Sequence, residues 1–137
     1  MSRLRRMPLG LVALLGTIAV LQFAGCSKNS ISGELQMFKN SGRAVSEFSD
    51  LDPGPLGARK CQTGTIDSIA TLLCEYSSTD AASQGQTAAE GWFSQTSAAL
   101  VLRRNQLLLG LSDRNNTDPS GKTMSMIAKI FRRVGKS

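Results

Sequence analysis

The sequence predicts an α+β domain: a small antiparallel four-stranded sheet in the order ββαββα, with two helices packed on one face, preceded by a signal peptide and a flexible tether. Three observations predict it. Two pairs of short, β-prone runs are each joined by a tight turn. Each pair is followed by a stretch whose apolar residues recur at helical spacing. Ahead of them lie an apolar segment and a Ser-, Gly- and Pro-rich stretch. The boundaries fall at 1–25 for the signal peptide, 26–58 for the tether and 59–137 for the domain.

The N terminus opens with Arg3, Arg5 and Arg6, runs through an apolar Leu9–Leu21 and ends Ala24-Gly25-Cys26. A secretory signal has a basic start, an apolar middle of roughly 7–15 residues and small residues at the cut. The segment resembles the signal sequence of bacterial lipoproteins. The resemblance implies export, cleavage before Cys26 and lipid on that cysteine, so that the membrane is the first partner. Ser27 is not the aspartate that holds many such lipoproteins in the inner membrane, which favours the periplasmic face of the outer membrane. The alternative is an uncleaved helix over Met7–Gly25, 19 residues long, since roughly 17–25 can span a bilayer. Either way the rest of the chain lies tethered outside the cytoplasm.

The expected tether contains Ile31, Leu35 and Phe38 at helical spacing, interrupted by Lys39-Asn40-Ser41-Gly42, and closes on the breaker Asp52-Pro53-Gly54-Pro55. It reads as coil with one short helix, reaching roughly 30 Å from the membrane.

Gln62–Ile66 and Ile69–Tyr76 suit strands. With Asp67-Ser68 as a two-residue turn, Ile66 faces Ile69 and Cys61 faces Cys74. Cys61 and Cys74 then form a non-hydrogen-bonded pair, with Cα atoms about 4.5 Å apart, close enough for a disulfide. Export to an oxidising compartment agrees with that pairing. Asp80 or Thr79 can cap a helix over Ala81–Gln95. Its small residues let it lie close to a sheet.

Ala98–Arg103 and Gln106–Ser112 form a second hairpin about Arg104-Asn105. Ala98, Leu100 and Leu102 then oppose Leu111, Leu109 and Leu107 on one continuous apolar face. The other face, with Val101 and Leu108, is mixed and is the expected partner surface. Asp118-Pro119 reads as a cap and first turn. Met124, Ile127, Ala128 and Phe131 follow at helical spacing, with Arg132 and Arg133 near the end of the helix.

Composition narrows function. The chain carries +6, but three of its 16 Lys/Arg precede Cys26, which leaves 13 against 10 acidic residues and a net +3. No dense basic face, and so no nucleic-acid partner, is expected. The absence of histidine removes the commonest general base and metal ligand. No cofactor or metal site is expected.

Each candidate for chemistry has a plainer reading. Gly121-Lys122-Thr123 lacks the earlier glycine of a phosphate loop, which is Asn116 here. Asp113, Asn115, Asn116 and Asp118 lack the alternating oxygens of a calcium loop. Ser120 and Lys122 read as a helix start rather than a dyad. Twelve residues separate Cys61 from Cys74, against two in redox motifs. Trp92-Phe93 is a ligand platform or core. Arg103-Arg104 and Arg132-Arg133 either meet anionic polymer or solubilise a turn and a helix end.

The expectation is a cell-envelope lipoprotein whose small domain is non-catalytic and binds an envelope protein or wall polymer, or serves as structure. The alternative is an enzyme or enzyme inhibitor acting on cell-wall polymer, for which Glu75, Glu90 and Asp113 supply carboxylates.

Overall fold

The computed structural model describes residues 30–95 and 98–133. The expected signal peptide, the expected lipid site Cys26 and Ser27 lie outside the described residues. Three helices and five strands follow one another: α1 (Ile31–Asn40), β1 (Ser49–Leu51), β2 (Lys60–Ile66), β3 (Ile69–Glu75), α2 (Thr79–Phe93), β4 (Ala99–Arg104), β5 (Leu107–Ser112) and α3 (Lys122–Arg133). The sheet is antiparallel throughout, in the order β1-β2-β3-β5-β4.

The first hairpin has the expected register, with Ile66 opposite Ile69 and Cys61 opposite Cys74. Asp67 and Ser68 both take positive φ, 51° and 69°, the backbone a tight two-residue hairpin turn demands. Asp67 tolerates it because its carboxylate is held from outside. It accepts the Ala44 N–H at 2.9 Å and pairs with Arg43 at 3.0 Å. The Cys61–Cys74 disulfide is formed, with Cα atoms 4.1 Å apart.

The second hairpin turns one residue later than expected. Asn105 takes φ 56° as the first turn residue, so Leu100 opposes Leu111, Leu102 opposes Leu109 and Arg104 opposes Leu107. Moving a turn by one residue shifts the pairing by two, and a shift of two keeps every side chain on its face. The leucine face is therefore as expected.

Residues 30–58 differ from the expected tether. Ser30 caps α1 by accepting the Gly33 N–H at 3.0 Å. Ile31, Glu34 and Phe38 then bury one stripe of the helix. Val45 bridges to Ile66, and β1 pairs with β2 to add a fifth strand. Phe48 lies over Gly64, where any Cβ would sit 2.4 Å from its ring. This segment is polar on average, but its few large apolar residues fall where α1 and the sheet need them.

The helices also occupy both faces of the sheet rather than one. α1 and α3 cover the leucine face, with Phe38, Ile127 and Phe131 packed on Ile66, Ile69, Leu73, Leu109 and Leu111. α2 covers the other, where Ala82, Ala89 and Tyr76 join Leu72, Leu108 and the disulfide. Of Val101 and Leu108, expected to face a partner, Leu108 is wholly buried in the core beneath α2 and Val101 packs half-buried against it. Both faces of the central strands are apolar, as in sheets covered on two sides. All six residues of β5 are buried.

α2 can approach closely because Gly85 leaves room for Tyr76, whose hydroxyl donates to the Leu56 carbonyl at 2.9 Å. Burial pushes the Tyr76 phenol above its ordinary pKa.

Candidate functional site: a groove at the end of α2

α2 does not cover its face to the end. Ser78 caps its first turn, accepting the Ala81 N–H at 3.0 Å. At the other end Phe93 docks into a notch at Gly110, where a Cβ would lie 2.7 Å from its ring. Phe93 fixes the helix end, and the neighbouring Trp92 projects outward, 57% exposed. The two rings stand 6.1 Å apart, tilted by 57°. Between this helix end and the outer half of the sheet lies an open groove of about 350 Å³. That is within the range of small-ligand sites, about 300–1,000 Å³.

The floor and walls are mainly apolar, with Leu51, Ala70 and Leu72 below the two aromatic rings. The polar groups are few: Thr63, Thr71, Ser112 and Arg114. Ser112 is only 1% exposed, and its hydroxyl has no hydrogen-bond partner. Leaving a buried hydroxyl unpaired costs about 1–3 kcal/mol. Arg114 is exposed and forms no ion pair among the described residues. No carboxylate is among the described lining residues. The groove thus combines an apolar bed, one buried hydrogen-bonding group and one cation.

The adjoining loop is self-satisfied. The Asp113 carboxylate accepts N–H groups of Thr117 and Asp118, each at 2.8 Å, and the Thr117 hydroxyl at 3.0 Å. Burial opposes its ionisation, but these hydrogen bonds outweigh burial and hold the carboxyl below its ordinary pKa. Asp118 caps α3, accepting Thr123 N–H at 3.1 Å and Met124 N–H at 2.9 Å. The cap is the expected residue, although α3 begins at Lys122 rather than at Pro119. These bonds occupy the carboxylates considered for calcium. The amides that Gly121-Lys122-Thr123 would offer a phosphate are also taken, by the Asp118 carbonyl, the Ser120 hydroxyl and the Asp118 carboxylate in turn. Ser120 accepts the Lys122 N–H at 3.4 Å, as a helix-start serine does.

The remaining candidates are dispersed. Cys61 and Cys74 are fully buried under α2. Arg104 turns inward, paired with Glu34 at 2.7 Å, donating to the Phe131 carbonyl and stacked 4.6 Å over the Phe131 ring. Arg103 stays exposed and donates to Gln86. Glu75 accepts the Ile31 N–H at 3.1 Å and lies 3.7 Å from Arg59. Glu90 is on the exposed side of α2, and Asp113 follows β5 at the opposite end of the sheet from Glu75. The three carboxylates considered for wall hydrolysis are therefore not gathered in one cleft.

Among the described residues no three His, Cys, Asp or Glu side chains come together as a metal site, and no helix is long and apolar enough to cross a membrane. Of the residues singled out from sequence, only the Trp92-Phe93 pair lines the groove. Ser112 and Arg114 carried no pattern of their own. A comparison with known proteins finds no matching family, no matching curated protein and no matching solved structure.

Proposed function

We propose that the chain is a cell-envelope lipoprotein, anchored through lipid on Cys26, whose domain is a non-catalytic binding module with the groove at the end of α2 as its ligand site. Ser27 favours the periplasmic face of the outer membrane. The observation that carries the binding role is the unpaired Ser112 hydroxyl, buried beside an exposed tryptophan and an uncompensated arginine. A ligand that supplies a partner to Ser112 recovers the cost of its burial. An apolar body would rest on Trp92, Leu51 and Leu72, and an anionic group would pair with Arg114. The ligand class is therefore an amphipathic small anion, such as an aryl or acyl carboxylate.

Trp92 is the single tryptophan of the chain, so its emission reads the groove directly. The test is titration of the full-length protein with 8-anilinonaphthalene-1-sulfonate, an aryl anion. A saturable, one-site change in Trp92 emission is expected. Arg114→Ala should weaken it about tenfold or more, the worth of a charge-assisted contact. Ser112→Ala should weaken binding while leaving the unliganded fold as stable or more stable, because it removes an unpaired buried hydroxyl. Absence of saturable binding, or unchanged affinity in both variants, would refute the site.

A further inference from the structure

The domain has two unlike ends. Lys60, Glu75, Leu107 and Arg104 are in register at one end of the sheet. The N terminus of α1 is fixed there, by Ile31 N–H to Glu75 at 3.1 Å. So is the last turn of α3, because Arg104 holds both Glu34 and the Phe131 carbonyl. Of the groove's lining, Ala70, Ser112 and Arg114 lie at the opposite end of the sheet, while Leu51, in register with Cys61, reaches back toward the first.

We infer that the protein docks end-on against an anionic phospholipid surface through Lys60, Arg103, Arg132 and Arg133, around its anchored N terminus, and holds the groove away from the bilayer. This rests on the membrane attachment at Cys26 proposed above. Four residues separate Cys26 from Ile31. Even fully extended they let the start of α1 stand no more than about 17 Å from the attachment point. The end that carries α1's first turn is therefore held within that reach of the membrane.

That end is also suited to it. Lys60, Arg103, Arg132 and Arg133 are all exposed. The carboxylates nearby are Glu34 and Glu75, paired with Arg104 and Arg59, and the exposed Asp50, Asp52 and Asp80. Four cations thus face three carboxylates that form no ion pair among the described residues. Basic groups beside a membrane anchor add attraction to anionic headgroups, which lipid anchoring alone does not supply.

The experiment reconstitutes the full-length protein into vesicles of phosphatidylcholine alone or with about one-third phosphatidylglycerol, and follows acetylation of individual lysines by mass spectrometry. Lys60 should label several-fold more slowly on the anionic vesicles at low salt. The protection should vanish at high salt, where screening shortens to a few Å. Lys39 and Lys122, in the last turn of α1 and the first of α3, should label alike on both. Arg132→Glu with Arg133→Glu should abolish the protection, since each cation is worth roughly fivefold in surface affinity. Equal labelling of Lys60 on both vesicles, protection of Lys39 and Lys122 instead, or protection already present in detergent would each overturn the docking. The mass of the N-terminal peptide, read in the same spectra, reports the lipid separately. An uncleaved segment would leave the same short connection, so the anchor and the docking can fail independently.

Discussion

Two glycines on one helix are expected to respond in opposite directions to the same substitution. Intrinsic propensity favours alanine over glycine inside a helix by about 1 kcal/mol, so Gly85→Ala and Gly91→Ala should stabilise α2 equally if propensity decides. The packing says otherwise. A Cβ on Gly85 would lie 2.1 Å from the Tyr76 hydroxyl oxygen and 2.2 Å from its Cζ, whereas one on Gly91 meets nothing within 4 Å.

Tyr76 is 2% exposed and bonded to the Leu56 carbonyl, so it has no free space to enter. Overpacking of this kind costs about 1–3 kcal/mol. Losing the hydroxyl bond, which leaves a buried group unpaired, costs about 1–3 kcal/mol more. After the propensity gain, Gly85→Ala should lose about 1–5 kcal/mol net. Gly91→Ala should gain up to about 1 kcal/mol. Urea unfolding followed by far-ultraviolet dichroism measures both. The midpoint should fall by about 0.3–5 M for Gly85→Ala, given a slope of about 1–3 kcal/mol per M. A Gly85→Ala protein as stable as the parent would refute the close packing of α2 on Tyr76, and with it the placement of that helix on the disulfide face.

Other perturbations test the remaining contacts. Glu34→Gln leaves Arg104 charged and 9% exposed, and should cost about 3–5 kcal/mol, whereas replacing both partners with methionine should cost far less; calorimetry of the two variants decides. Replacing Cys61 and Cys74 together with alanine should cost about 3 kcal/mol, the worth of a bridge across a short loop, and an unchanged urea midpoint would contradict that. Asp113 has its pKa lowered in the folded state. Its contribution to stability is therefore fully present above the unfolded value of about 3.9 and is lost as pH falls through the lower folded value. Asp113→Asn should flatten the loss of stability below about pH 4, and a parallel acid profile would refute the hydrogen-bonded loop.

What could be read from sequence was local or repetitive. The Asp67-Ser68 turn fixes the first hairpin and carries the disulfide with it, because cross-strand register propagates from the turn. The alternating leucines of β4 and β5 define one face whichever residue begins the turn, and Asp118 caps α3 as its position implies. The choice of face for α2 was less legible. Leu107-Leu108-Leu109-Gly110-Leu111 is a continuous apolar run, the signal of a strand covered on both sides, and it outweighs the mixed appearance of Val101 and Arg103. β1 is three residues with two of them exposed, too short to show a period. Arg104 and Glu34 meet across 70 positions of chain, so no window around either indicates an inward arginine. The groove is assembled from β1, β2, β3, α2 and the end of β5. The role of Ser112 depends on what does not contact it, which a sequence does not record.

The account rests on a folded module held at a membrane by Cys26. The most direct measurement is the mass of the N-terminal peptide of the protein recovered from cell membranes. The account predicts a peptide that begins at Cys26 and carries acyl lipid on that residue. An unmodified Cys26 still joined to Gly25 would contradict it.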